Sequence, residues 1–276
     1  MSLLRSLFSR RKLAADPRKS AKAFVTLEQY EQIQPTATLT DGDIEVVFCT
    51  PSQHTKWRID SFFTKEPDTL EWIRGFSAGE ILVDVGANIG MYSVWAAKTR
   101  DVRVFAFEPE SQNYALLYRN IVANELAQQV TGYCLALAET SRYDRLHLSH
   151  FLLGGSGHMF GLEADYQLRP RPSAVSQGCV SATLDELVAC GAVEAPHYIK
   201  LDVDGLEHAV LAGARGTLRS TRLKSVLVEI NTRLAEHRAL IDEMKALGFT
   251  YSEAQVARAM RTSGDFEGCA NHVFFR

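Results

Sequence analysis

Residues 81–93 read Ile-Leu-Val-Asp-Val-Gly-Ala-Asn-Ile-Gly-Met-Tyr-Ser. A strand-like run over 81–85 meets a turn with glycines at 86 and 90, and helical periodicity follows over 91–99. The same alternation continues along the chain. Strand-like runs at 102–107, 130–137, 198–203 and 225–230 are separated by periodic segments at 111–124, 183–190, 206–219 and 234–247. Mostly apolar strands alternating with amphipathic helices predict an α/β fold with a mostly parallel sheet covered on both faces. Residues 249–254 and 272–276 are expected to close it as a pair of strands, one antiparallel, giving a seven-stranded Rossmann-like sheet. Ligands of such sheets bind beyond the carboxyl ends of the strands, so the informative residues stand just after each strand.

The first turn excludes two phosphate loops. A dinucleotide fingerprint needs glycines at offsets 0, 2 and 5, but offsets 2 and 5 from Gly86 are Asn88 and Met91. No Gly-Lys-Ser/Thr follows, so it is not a P-loop either. The remaining pattern, Asp84 to Gly90 as D-x-G-x-x-x-G, is the loop type that cradles the amino-acid part of S-adenosylmethionine (SAM). Asp84 suits a cationic amine better than a pyrophosphate. Asp84, Gly86, Asn88, Gly90 and Tyr92 are therefore candidate cofactor-binding residues, against the plainer reading of a structural glycine turn. Glu108-Pro109 ends the second strand, where an acid can accept both ribose hydroxyls of NAD or SAM. Ala138-Glu139 ends the third and is placed to flank an adenine ring.

The chain of 276 residues is 46% hydrophobic and 23% charged, as in ordinary soluble domains. A net charge of −3 gives little pull toward nucleic acid, and no apolar run approaches a membrane span. Five cysteines without a C-x-x-C pair argue against a disulfide framework or zinc site and fit a reducing, cytoplasmic setting. Residues 1–22 carry seven basic residues against one acid, and Leu3, Leu4, Leu7 and Phe8 share one side of a helical projection. Residues 1–43 thus read as a basic tail and lead-in, either a solvated tail or a membrane-surface foot at the inner face. Residues 44–276 form the domain, opening with a strand at 44–49 and a helical prelude through 79, divided at Pro67 with Asp68-Thr69 as the second cap.

The catalytic candidates cluster after the fourth and fifth strands. Asp202 ends the fourth strand and Lys200 alternates onto the same face. His208, in the following helix start, is a candidate general base. Asp202, Glu229 and Asn231 offer three oxygen donors, the set that would hold Mg²⁺; the alternative, adopted here, is hydrogen-bonded structural groups and no resident metal. Residues 141–178 contain GGSG (154–157) and RPRP (169–172) without clear periodicity, and are expected to form a mobile lid on the acceptor side, with Ser156 and His158 facing the substrate. His147, His150 and His158 match no zinc spacing.

Taken together these segments resemble the FkbM family of SAM-dependent methyltransferases. The resemblance rests on KEPDT (65–69) with Trp72-Ile73, VDVGANIGMYS (83–93), FEPE (107–110), TLDEL (183–187), YIKLDVDGLEHAVLAGA (198–214) and VLVEI (226–230). It covers roughly residues 60–275 and departs from the family pattern at Asp204, where a glutamate is usual. It implies a class I methyltransferase fold, SAM as cofactor, and methylation of hydroxyl oxygens on saccharides or small natural products. The competing classes are an NAD-dependent oxidoreductase, disfavoured by the glycine spacing, and a non-catalytic SAM-fold binding protein, disfavoured by the retained Asp84, Gly86, Gly90, Glu108 and Asp202.

Overall fold

The computed structural model describes residues 25–173, 175–264 and 266–276; the basic segment 1–22 lies outside them. The chain divides into two units, residues 1–35 and 36–276. In the first, α1 (Leu27–Gln32) starts at a capping box in which the Thr26 hydroxyl accepts from the Gln29 amide and the Gln29 side chain accepts from the Thr26 amide.

The second unit opens with a hairpin, β1 (Thr36–Asp41) and β2 (Ile44–Cys49). Residues 36–41, expected within the lead-in, therefore pair with the first expected strand. Asn120 and Asn124 hold the hairpin: their side-chain oxygens accept from the amides of Cys49 and Val47 at 2.8 and 2.9 Å. The prelude is α2 (Gln53–Asp60), α3 (Phe62–Lys65) and α4 (Pro67–Arg74). The last begins at Pro67 itself, not at an Asp68-Thr69 cap, because a first-turn position needs no N–H and suits proline's fixed φ.

The alternating heart follows as β3 (Ile81–Val85), α5 (Met91–Arg100), β4 (Arg103–Phe107), α6 (Ser111–Ala123), β5 (Val130–Tyr133), β6 (Ala136–Leu137), β7 (Arg142–Leu148), β8 (Met159–Phe160) and β9 (Val175–Ala182). It ends as α7 (Leu184–Ala189), β10 (Tyr198–Leu201), α8 (Glu207–Ala212), α9 (Arg215–Leu218), β11 (Ser225–Asn231), α10 (Ala235–Ala246), α11 (Glu253–Ala259) and β12 (Cys269–Phe275). The main sheet runs β12-β11-β10-β3-β4-β5, parallel except for antiparallel β12. Its strands read as apolar because both faces are buried. Leu82 joins the core formed with the hairpin and α2–α6, whereas Val83 and Val85 join Val210, Leu218 and Leu240 of α8–α10 on the other.

Three expected elements differ. The run 130–137 breaks after Tyr133, and Ala136–Leu137 leave the main sheet to pair with β9. The strand expected at 249–254 shrinks to one antiparallel bridge, Thr250 to Phe275, at the outer edge of β12. Ser252 caps α11 by accepting from the Gln255 amide, so the good helix formers after it are taken into a helix. Residues 141–178, expected to lack periodicity, are partly regular. They contain β7, β8 and the start of β9, within a second sheet ordered β6-β9-β7-β8. No helix among the described residues is long and apolar enough to cross a membrane.

Candidate active site

A cavity of about 360 Å³ opens where β3, β4 and β10 end, and Gly86, Glu108 and Asp202 all line it. Gly86 turns the chain at φ +78°, and the amides of Gly86 and Ala87 donate to the Phe107 carbonyl at 3.0 and 2.9 Å, tying the loop to β4. Asn88 lies at φ +53°, a left-handed conformation that asparagine tolerates. Its amide donates to Glu108 Oε2 at 2.7 Å, and the Glu110 amide donates to Glu108 Oε1 at 2.8 Å. A carboxylate has about four acceptor positions. With the Asn113 side chain also donating to it, Glu108 is held in a fixed orientation and still keeps acceptor capacity for a hydroxyl. Burial pushes its pKa up to about 7, opposed by the amides of Glu110 and Asn88. Phe107, Leu135 and Leu137 add an apolar wall beside it. A buried acid with spare acceptor capacity against an apolar wall fits a ribose joined to a flat base.

The end of the third strand differs from the Ala138-Glu139 expectation. The third strand breaks, so Leu135–Leu137 enter the cavity wall. Ala138 is buried with its amide on the Ala182 carbonyl at 3.0 Å, Glu139 is exposed, and neither lines the cavity.

Asp84 also stands off the cavity. It is 1% exposed; Oδ2 accepts from the Ser93 hydroxyl at 2.6 Å and Oδ1 lies 3.6 Å from Lys200 Nζ. The cation opposite Asp84 is thus the chain's own lysine rather than a ligand amine. Lys200 Nζ also donates to Asp202 Oδ2 at 3.3 Å. Burial opposes its charge, but Asp202, Asp84 and Glu66 outweigh burial and raise its pKa above the ordinary lysine value. Lys200 is therefore a buried cation paired with both Asp84 and Asp202. Gly90 and Tyr92 are likewise behind the cavity: Gly90 packs against Leu117, and the Tyr92 hydroxyl donates to Glu66 Oε2 at 3.0 Å.

Glu66 is a hub that motif reading does not single out as a site residue. Its buried carboxylate lies 3.0 Å from Lys65 Nζ and 3.6 Å from Arg261 Nη2. Burial would raise its pKa, but Lys65 and Lys200 hold it down at about 2.

At the other end of the cavity, carboxylate oxygens of Asp202, Asp204 and Glu229 lie within 4.8 Å of one another. Asp204, noted in sequence only as a departure, belongs to this group. Burial, then Asp202, pushes its pKa up to about 6, and its Oδ2 accepts from the Gly157 amide at 2.7 Å. Burial and Asp202 also raise the pKa of Glu229, against the pull of Arg261, whose Nη1 lies 2.7 Å from Glu229 Oε1. Asn231 does not line the cavity, and its Oδ1 accepts from the Arg233 amide at 3.0 Å. The Asp202, Glu229 and Asn231 set, weighed in sequence as the less favoured metal alternative, is therefore not the group brought together; that group is Asp202, Asp204 and Glu229. That donor chemistry suits a divalent cation, but Arg261 already takes one oxygen of Glu229 and Lys200 one of Asp202.

His208 is outside the cavity, its ring 6.1 Å from that of His237, and its Nδ1 is buried without a hydrogen bond. A general base must reach the acceptor, and this one faces a neighbouring helix. Ser156 and His158 do line the cavity; burial lowers the His158 pKa to about 4, so its ring is neutral at physiological pH. The loop carrying them is bonded to the cofactor turn. The side-chain amides of Asn88 and Asn113 donate to the Gly155 carbonyl at 2.7 and 3.0 Å.

The family profile described as "Methyltransferase FkbM domain" matches residues 84–251. The hexuronic acid methyltransferase AglP of Haloferax volcanii is 26% identical over 184 residues, covering 67% of this chain and 70% of AglP. The 31-O-demethyl-FK506 methyltransferase FkbM of Streptomyces tacrolimicus is 27% identical over 192 residues, covering 62% and 73%. Among solved structures, a precorrin-6y C5,15-methyltransferase from Geobacter metallireducens superposes at a TM-score of 0.43 with 12% identity, covering 86% and 93%. The profile spans well over half of the sequence, including the glycine turn, Glu108, Asp202 and Glu229: the chain belongs to the FkbM family of methyltransferases.

Proposed function

We propose that this protein is a SAM-dependent O-methyltransferase acting on a hydroxyl of a saccharide or small natural product. The observation that carries the reading is a single cavity with Glu108 at one end and Asp202 at the other, 27% exposed at its side chain and paired with a buried lysine. Relatives named for a hexuronic acid and for FK506 support a hydroxylated small acceptor. SAM, when bound, supplies an electrophilic methyl group on a sulfonium sulfur.

The chain's residues then have three tasks. Glu108 accepts from the ribose hydroxyls while the Asn88 and Glu110 amides keep its carboxylate aimed. Lys200 orients Asp202 through its contact with Oδ2. Asp202 takes the proton from the acceptor hydroxyl as its oxygen attacks, the alignment supplying most of the rate. Asp204, close by and with its pKa raised to about 6, relays that proton from Asp202 to solvent. The test is methyl transfer from labelled SAM to a panel of uronic acids, neutral sugars and macrolide alcohols, read by mass spectrometry. Methylation of an oxygen supports the proposal; transfer confined to nitrogen or carbon acceptors overturns the oxygen assignment.

A further inference from the structure

Among the cations lining this cavity or buried behind it, Arg58 stands apart. Lys65 is paired with Glu66, Arg261 with Glu229 and Glu66, and Lys200 with Asp84 and Asp202. Arg58 of α2 lines the same cavity and is only 9% exposed, yet forms no ion pair with a described residue. Its Nε donates to the Gly154 carbonyl at 2.5 Å, and no other guanidinium nitrogen has a hydrogen-bond partner among the described residues. A guanidinium offers five donors in a planar fork, and a buried charge without a counter-ion is costly. An anion that arrives with the ligand offsets that cost.

The side chain is fixed before any ligand binds. Gly154 adopts φ +77°, and a Cβ there would lie 3.4 Å from Arg58 Nε and 3.2 Å from the Thr55 methyl. His54 Nε2 shares the Gly154 carbonyl at 3.1 Å. Gly154 also ties Arg58 to the cofactor turn. Its amide donates to Asn113 Oδ1 at 2.8 Å, and the next carbonyl, of Gly155, accepts from Asn88. The bare cation is therefore one peptide away from the Gly86–Asn88 turn, the side of the cavity where the amino-acid part of the cofactor belongs.

We propose that Arg58 is a carboxylate-binding residue that takes up the α-carboxylate of the cofactor's amino-acid moiety. The planar fork suits a two-point contact with a carboxylate, which a lysine gives less well. This deepens the methyl-transfer reading and rests on it. The same chemistry would bind an acid group on an acceptor, and the experiment separates the two.

Calorimetric titrations of S-adenosylhomocysteine and 5′-methylthioadenosine, which lacks the amino-acid part, are run on wild type, Arg58→Met and Arg58→Lys. Arg58→Met is expected to weaken S-adenosylhomocysteine at least tenfold and leave 5′-methylthioadenosine unchanged, with Arg58→Lys intermediate. Should the methionine variant fail to fold, wild type is titrated with the methyl ester of S-adenosylhomocysteine, which is expected to bind at least tenfold more weakly than the acid. Equal weakening of both nucleosides makes Arg58 a structural residue and overturns the proposal. So does unchanged binding of both, including the case in which only acceptor KM rises. Failure of wild type to bind either nucleoside is a separate result, and removes the SAM reading itself.

Discussion

A Cβ placed on Gly86 would lie 1.9 Å from the backbone carbonyl oxygen of Asp202. The turn after β3 and the end of β10 are thus in contact through backbone, and neither can retreat: the Asp202 amide donates to the Val85 carbonyl at 3.1 Å. At φ +78° a side chain at 86 is also strained. Gly86→Ala is expected to displace the Asp202 strand end, costing about 1–3 kcal/mol from the dihedral alone. It should also abolish measurable S-adenosylhomocysteine binding by calorimetry. A variant that binds like wild type would remove the turn from the cofactor site.

Glu108 gives a pH dependence with a definite sign. Its pKa is raised to about 7, and the ribose contact needs the ionised form. One pH unit below that value about one carboxyl in ten is ionised, so affinity for S-adenosylhomocysteine should fall roughly tenfold from pH 8 to pH 6. Glu108→Gln should bind weakly at both pH values and lose the slope. A wild-type affinity that is flat across this window contradicts the role.

Asp202→Asn should retain nucleoside affinity, because Glu108 and the glycine turn are untouched, and lose about 10²-fold or more in turnover. The measurement is kcat beside a calorimetric Kd. EDTA should leave wild-type turnover unchanged, since Arg261 and Lys200 already neutralise Glu229 and Asp202. Loss of activity with EDTA, restored by Mg²⁺, would make the three carboxylates a metal site instead.

Glu66 should act on stability rather than chemistry. Its folded pKa of about 2 lies below the ordinary 4.5, so its stabilisation is complete above the unfolded value and is lost as pH falls from 4.5 toward 2. Glu66→Gln should cost at most about 3 kcal/mol at neutral pH and flatten the acid limb of stability measured by urea unfolding. An unchanged acid limb would show that Lys65, Lys200 and Arg261 find other partners.

Removal of residues 154–157 should weaken S-adenosylhomocysteine as well as acceptor turnover. Asn88 and Asn113 lose the Gly155 carbonyl, Arg58 loses that of Gly154, and Asp204 loses the Gly157 amide. Intact nucleoside affinity in that deletion would restore a purely acceptor-side lid.

What sequence alone determined is local and periodic. The turn from Gly86 to Gly90, the acid after β4, and the Lys200–Asp202 spacing follow from alternation of period two in strands and from glycine's access to positive φ. Those rules place side chains at strand ends without knowing what they meet. Tertiary structure decided the partners. Asp84 was readable as a buried-strand acid, but that Lys200 rather than a ligand faces it depends on the register of β3 against β10, which pairs Asp84 with Lys200. Arg58 and Arg261 carry no motif; they reach the cavity because α2 and the segment after α11 pack at its rim. Residues 141–178 looked aperiodic because β7 and β9 are mostly polar and mostly exposed or partly buried, with few buried apolar residues such as Leu146, so pairing between distant strands and not local hydrophobicity makes them a sheet. Short-range dihedral and hydrophobic preferences are written in neighbouring residues, whereas counter-ions and strand partners are set by contacts between residues far apart in the chain.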